Sequence, residues 1–296
     1  MSHLPLPALD PELPIALYGN IPQGQAWIDG YRNSPAHLVC TLGFTATGLI
    51  PHISAAGQTP HDRRYTALSD AEFLVNGLTE SGVRYPLTPL ISGISPVILT
   101  RALWEAVEWP LTLFNAGLPE TPSVPAIDVQ GIPARCLTTG RAIPRPQVRR
   151  LLNQGMHWGE QLAFRQAQGY LVVGECVVGG TTTALGILLG LGYDAVGRIN
   201  SSHPTCNHEQ KVAIVKAGLD QANLGDNPDP LDLLAAIGDP MQIFVAGLTL
   251  TASRQIGILL AGGTQMLAVY ALAVRIAQYY RLPDRKSTRL NSSHRT

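Results

Sequence analysis

The stretch Gly174–Thr183, GECVVGGTTT, sets one acid beside paired glycines and three threonines, after the apolar run YLVV and before ALGILLGLG. At a strand-to-helix turn these residue types suit a phosphate. The first amides of a helix have no partner within it, the helix dipole is positive there, glycines admit an anion to the backbone, and threonine hydroxyls add donors. Gly174, Gly179, Gly180, Thr181 and Thr182 are therefore candidate anion ligands. The turn is not a P-loop, because no Gly-Lys-Ser/Thr follows, and not GxGxxG, because its glycines fall at 174, 179 and 180. Tight strand–helix packing with threonine caps would use the same residues. Glu175 tilts the reading toward a site, since an acid at an anion site costs energy unless chemistry or a cation uses it.

Other residues could join it. The second Gly/Ser-rich turn carries Gly197, Arg198, Ser201 and Ser202, with Lys211 downstream. Asp239 in IGDPMQ reads as the cap of a helix starting near Pro240, with contact to ribose hydroxyls as the alternative. Asp70 and Glu72 in SDAEFL are either favourable acids at a helix N-terminus or contacts to a ligand. His203, Cys206 and His208 spell HxxCxH, but with no second ligand pair and a proline inside the run they read as a loop with a capping histidine. No metal site and no cofactor are expected.

Positioning these residues requires strands that end in turns. Three strand-to-helix passages are predicted: YLVVGECVVGGTTTALGILLGLG, YDAVGRINSSHPTCNHEQKVAIVKAGL and IGILLAGGTQMLAVYALAVRIAQYY. Their short unalternated apolar runs suit strands buried on both faces of a parallel sheet. The fold class is α/β, a wound, mostly parallel sheet flanked by helices with a smaller helical subdomain, and the three turns would line one crevice beyond the strands' carboxyl ends. Helical patterns occur in SDAEFLVNGL, in SPVILTRALWEAVEW with Ser95-Pro96 at its start, and in QVRRLLNQGMHWGEQLAFRQ. The proline-rich stretch from Leu118 to Pro146 reads as a connection over the surface or along a site rim. Trp104 and Trp109 read as packing.

Composition narrows the class. Hydrophobic residues make up 45% and charged residues 14%, with 29 glycines and zero formal net charge. That describes a folded chain without the basic footprint of a nucleic-acid binder. The four cysteines are scattered, and MSHLPLPALDPELP lacks an apolar signal core, so reduced thiols and a cytoplasmic location are expected. Ile243 to Ala277 is apolar, but Ser253, Arg254 and Gln255 interrupt it, which favours buried helices around a strand over a membrane span. DRKSTRLNSSH, from Asp284 to His294, has neither periodicity nor caps and resembles a translated sequencing adapter. One domain over 1–283 is expected, with 284–296 a non-native tail. Setting aside that tail's basic residues leaves the rest mildly acidic.

Gly174-Glu175 with Gly179 and Thr181-Thr182 resembles the GExxxGxTT turn of the nicotinate-nucleotide:dimethylbenzimidazole phosphoribosyltransferase family. Gly197-Arg198 with Lys211 is similar to that family's next phosphate turn. ISAAG, SPVILTR, GGTTTA, SSHP and GGTQMLA resemble a divergent branch of it, and the likeness runs from about Cys40 to Ala277. The resemblance implies attack of a benzimidazole nitrogen on the anomeric carbon of nicotinate mononucleotide, releasing nicotinate and giving α-ribazole phosphate. It implies that Glu175 stabilises the oxocarbenium-like carbon, that Thr181, Thr182, Lys211 and the Gly179-Gly180 amides hold the phosphate, that Ser201 and Ser202 face nicotinate, and that the segment of Asp70 and Glu72 lies near the base. It also implies a homodimer. Val177 and Gly180 depart from the pattern by removing a side-chain phosphate contact. The family's general base lies in a Gly-Glu-Gly-like turn after the last helix, which is missing between Arg281 and Thr296, so an incomplete and nearly inactive chain is expected. A transferase using phosphoribosyl pyrophosphate and a nucleotide-binding module without turnover remain the alternatives.

Overall fold

Aliphatic runs bounded by glycine or proline form the strands. The computed structural model describes residues 16–78, 82–90, 93–203, 205–282 and 290–291. Strand β1 (Ala36–Leu42) is buried along nearly its whole length, as a strand covered on both faces must be. β2 (Leu111–Asn115), β3 (Ile127–Asp128), β4 (Tyr170–Cys176), β5 (Gly257–Leu260) and β6 (Leu290–Asn291) complete a sheet of order β3-β2-β1-β4-β5-β6. Every pairing is parallel. The chain builds outward from β1 to β3, returns, and builds outward on the other side from β4. β1 and β4 thus flank the switch point where wound sheets bind ligands.

The helices are α1 (Ile21–Tyr31), α2 (Pro60–Asn76), α3 (Val97–Val107), α4 (Arg145–Arg165), α5 (Gly180–Gly190), α6 (His208–Ala222), α7 (Pro230–Ile237), α8 (Pro240–Ala252) and α9 (Thr264–Tyr279). Alternation along β1 divides the core. Val39 joins the large cluster with Phe114, Leu151, Phe244 and Leu272, while Leu42 faces a smaller cluster made by α2 and α3 with Leu68, Leu74 and Val97. That second layer is the smaller helical unit. Ser95-Pro96 precedes α3, but the helix starts one residue later than expected: Pro96 takes the cap position, and the Ser95 hydroxyl accepts from the Val97 amide at 3.4 Å.

Two expectations change. The run YDAVG forms no strand: residues 193–203 and 205–207 are irregular, Val196 is 51% exposed, and α6 starts only at His208. Two apolar residues before Gly197 are too few for a buried strand, and β1, which the sequence reading leaves unassigned, holds the place beside β4. Within the tail, the pair Leu290–Asn291 lies beside Ile258 and Leu259, an element the sequence reading does not foresee.

Helices α4 and α8 cross with almost no side chain between their backbones. A Cβ at Gly155 would stand 2.0 Å from the Phe244 carbonyl oxygen, and one at Gly247 would stand 2.4 Å from that of Leu152. Backbone cannot yield as a side-chain tip can. Gly155→Val should therefore force the helices apart and lower stability by about 3 kcal/mol, measured by urea unfolding of the two proteins; an unchanged midpoint would contradict this packing.

Candidate functional site

The turns that follow β1 and β4 meet at the switch point. Gly179, at φ +87°, lets the β4 turn lie against the loop after β1, where a Cβ would come within 2.7 Å of the Gly48 amide nitrogen. Gly180 leaves room for another group: a Cβ there would stand 2.1 Å from Gln265 Nε2. That nitrogen donates to Glu175 Oε2 at 2.7 Å. The loss of a side chain at Gly180 is thus what allows α9 to hold the acid on β4.

A cavity of about 440 Å³ opens above these turns. Its polar end carries Glu175, Gly179, Gly180, Thr181, Ser54, Ser202 and Gln265, and its apolar end carries Leu38, Cys40, Leu42, Leu74 and Val97. Asp70 sits in the apolar wall. Its Oδ1 accepts from the Ser95 hydroxyl at 3.0 Å, and its Oδ2 from the Cys176 thiol at 3.5 Å.

Lys211 is 1% exposed. Its Nζ donates to Thr181 Oγ1 at 3.0 Å and to the Asn200 carbonyl at 2.7 Å, and among the described residues no carboxylate pairs with it. Burial lowers its pKa to about 8. A cation left so, one hydroxyl away from the cavity, favours an anion at Thr181.

The carboxyls feel the opposite pressure. Burial, helped by the charge of Asp239, pushes Glu175 up to about 8 against hydrogen bonds from the Val177 amide and Gln265. Burial raises Asp70 to about 6, opposed by Ser95 and Cys176. Burial, with Glu175 and Asp70 nearby, also drives Cys40 up to about 12.

The predicted residues separate. Gly174, Glu175, Gly179, Gly180, Thr181, Ser202 and Asp70 line the cavity together. The Gly180 amide already donates to the Val177 carbonyl at 3.0 Å, so it is not a free phosphate ligand. Thr182 is fully buried. Ser201 donates to Asn207 Oδ1 at 2.8 Å, away from the cavity. Arg198 is exposed and paired with Asp194 at 2.9 Å. Asp239 caps α8 as predicted and accepts from the Thr183 hydroxyl at 2.6 Å, with no exposed surface. The structure gives it a field on Glu175 and no opening to a ribose. Glu72 receives the Arg84 and Tyr85 amides, each at 2.8 Å, outside the cavity. The proline-rich connection contributes nothing to the lining of this cavity, and it does not simply cross the surface, because it carries β3 and buries Val129, Leu137 and Ile143 in the core. Among the described residues, His203, Cys206 and His208 form no metal-holding group.

Three participants escaped the sequence reading. Gln265 lies inside the GGTQ turn, where its type alone signals nothing. Ser54 meets Ser202 at 3.0 Å, and the Ala55 amide donates to Ser202 Oγ at 2.8 Å. Arg63 is buried and donates to the Gly48, Gly57 and Ile50 carbonyls, which shapes the loop carrying Ser54.

The raised acid predicts a pH effect on the unliganded protein. Between the ordinary glutamate value of 4.5 and about 8, folded Glu175 keeps a proton that the unfolded chain has lost. Stability should therefore fall as pH rises through that window. Glu175→Gln should flatten the fall and stabilise the chain at pH 8 by at least about 1 kcal/mol, a figure discounted for the group's partial exposure. Parallel pH–stability curves for the two proteins would remove Glu175 as the cause.

A phosphoribosyltransferase family model matches residues 102–282. The chain is 56% identical over 269 residues to a UPF0284 protein of Rippkaea orientalis, covering 90% of this chain and 73% of that protein. It is 59% identical over 254 residues to a UPF0284 protein of a Cyanothece species, covering 86% and 68%. Among solved structures, CobT from Thermus thermophilus matches with a TM-score of 0.63 at 18% identity, over 92% of this chain and 81% of that one. A nicotinate-nucleotide-dimethylbenzimidazole phosphoribosyltransferase from the same organism matches with a TM-score of 0.59 at 19% identity, over 89% and 69%. At these identities the two structures establish a shared fold. No helix among the described residues is long and apolar enough to cross a membrane.

Proposed function

The chain belongs to the phosphoribosyltransferase family, and from that premise we propose that it moves the phosphoribosyl group of nicotinate mononucleotide onto a ring nitrogen of a benzimidazole-type base, releasing nicotinate and giving α-ribazole phosphate. The observation that carries this reading is one cavity lined by Thr181, Glu175 and apolar side chains, with Lys211 buried behind Thr181 and donating to its hydroxyl. The solved structures of like fold are named for CobT and for the transferase of this same substrate pair.

The chemistry suits the groups present. A bond forms between the acceptor nitrogen and the anomeric carbon, and the bond from that carbon to the pyridinium nitrogen breaks. Its electron pair neutralises the departing ring, so the leaving group needs no activation by a proton. The transfer asks the protein to anchor phosphate, align the two rings, and place negative charge near a carbon that becomes positive. Thr181 with Lys211 serves the first need. Glu175 serves the third. Empty, it holds a proton at neutral pH; a pyridinium nucleotide beside it favours the carboxylate, so binding should release that proton. Gln265 keeps the carboxylate oriented as the charge develops.

The test is nicotinate release from the mononucleotide with 5,6-dimethylbenzimidazole, with and without a chelator. Release that persists without divalent metal is the expected result; dependence on phosphoribosyl pyrophosphate and magnesium would overturn the reading. Lys211→Ala should weaken nucleotide binding by about ten- to a hundredfold, the range of a charge-assisted hydrogen bond. Equal affinity of the parent for the nucleotide and its dephosphorylated riboside would place the phosphate elsewhere. Glu175→Gln should lower kcat more than it raises KM, because its charge matters most in the transition state.

A further inference from the structure

A second concavity lies apart from the cavity at the switch point. It is a groove of about 420 Å³ between the loop that enters α4 and the ends of α6 and α7, with Arg135, Arg141 and Arg145 on its walls over a floor of Ile143, Leu224 and Ala236. The three cations differ. Arg145 is neutralised, because its Nε donates to Asp232 and its Nη2 to Asp229 at 2.9 Å. Arg135 and Arg141 are exposed, and among the described residues neither meets a carboxylate. In a chain where charged residues make up only 14%, two guanidinium charges thus share one groove without a counter-charge.

Backbone contacts build the groove before any ligand arrives. The Arg135 amide donates to the Ala142 carbonyl at 2.9 Å, which sets Arg135 and Arg141 across a short loop from each other. The Ala142 and Ile143 amides in turn donate to the Ala236 and Ala235 carbonyls at 3.0 and 2.9 Å, fixing that loop to the end of α7. Gly140, at φ +62°, fits it against α6, since a Cβ there would stand 2.7 Å from the Ala222 amide nitrogen. The backbone that carries both arginines is therefore set in advance, which lowers the ordering cost of binding.

We propose that this groove is a second anion site, taking a small phosphate monoester whose body is compact and apolar. Two unpaired charges call for a dianion, and the terminal oxygens of a phosphate accept from two guanidinium forks where one fork fills a carboxylate. The floor receives the apolar group of the ester. A concavity of this size suits a small molecule. The groove contains neither Thr181 nor Lys211 and keeps its charge whether or not the cavity at the switch point moves a phosphoribosyl group.

The experiment compares phenyl phosphate with benzoate and inorganic phosphate, by calorimetry on the whole chain near neutral pH and at low salt, where charge attraction is least screened. Phenyl phosphate also fits the Thr181 end of the cavity, so the Lys211→Ala chain is the background in which the groove is read alone. There phenyl phosphate should bind at least about tenfold more tightly than benzoate, and Arg135→Ala with Arg141→Ala should weaken it about ten- to a hundredfold, the range of a charge-assisted hydrogen bond. Arg135→Lys with Arg141→Lys, which keeps both charges and loses the forks, should weaken it at least about threefold. In the parent the alanine pair should remove one of two binding sites and leave the other. Both arginines are exposed, so unfolding midpoints in urea should stay in place. Unchanged binding in the alanine pair overturns the site, as does no binding in the Lys211→Ala background together with a single site in the parent. Equal affinity for benzoate overturns the phosphate, and equal affinity for inorganic phosphate overturns the apolar body.

Discussion

Everything at the site depends on two backbones approaching more closely than side chains allow. Gly179 presses the β4 turn onto the loop after β1, and Gly180 yields its side-chain space to Gln265. Without the first approach the loops after β1 and β4 would not meet over the switch point. Without the second, α9 could not reach Glu175. β1 is buried along nearly its whole length and β4 through Leu171–Val173, so the packed strands hold the turns that leave their ends.

The loops that roof the cavity are held by polar contacts as well as by the buried side chains of Ile53 and Ile199. Arg63 ties the Gly48, Ile50 and Gly57 carbonyls to α2. Asn207 donates to the His52 and Ile53 carbonyls, and Gln210 to that of Pro51. These bonds join the stretch after α5 to the stretch after β1, bringing Ser54 and Ser202 together. Such bonds contribute modestly each but cost much when one partner is lost in a buried setting. The polar bonds therefore set the geometry of the roof, on top of what its few buried apolar side chains hold.

The family resemblance and the wound parallel fold were legible because they lie in local signals: the turns after β4 and β5, the period of α4, the cap at Asp239. What was not legible depends on partners distant in sequence. Asp70 and Glu72 are two residues apart on one helix, so they point to nearly opposite sides of it. One faces the cavity; the other receives the Arg84 and Tyr85 amides. No pattern in SDAEFL distinguishes them. The sequence 193–207 carries turn chemistry like that of the true strand ends, yet the two apolar residues before Gly197 form no strand. The resemblance makes Gly197-Arg198 a phosphate turn, whereas the Arg198 side chain lies exposed beside Asp194 four residues earlier.

The same burial that places the groups also sets their charges. Lys211 is brought down to about 8 while Glu175 is brought up to about 8, so the empty site lies close to the point where either could change state. A ligand that carries a phosphate at one end and a positive ring at the other would settle both at once, the phosphate favouring the ammonium and the ring favouring the carboxylate. A neutral nucleoside would settle neither. Under the proposed transfer, the electrostatic cost that the fold bears when empty would become selectivity for a zwitterionic nucleotide, read out as a stability difference between the free and the occupied protein.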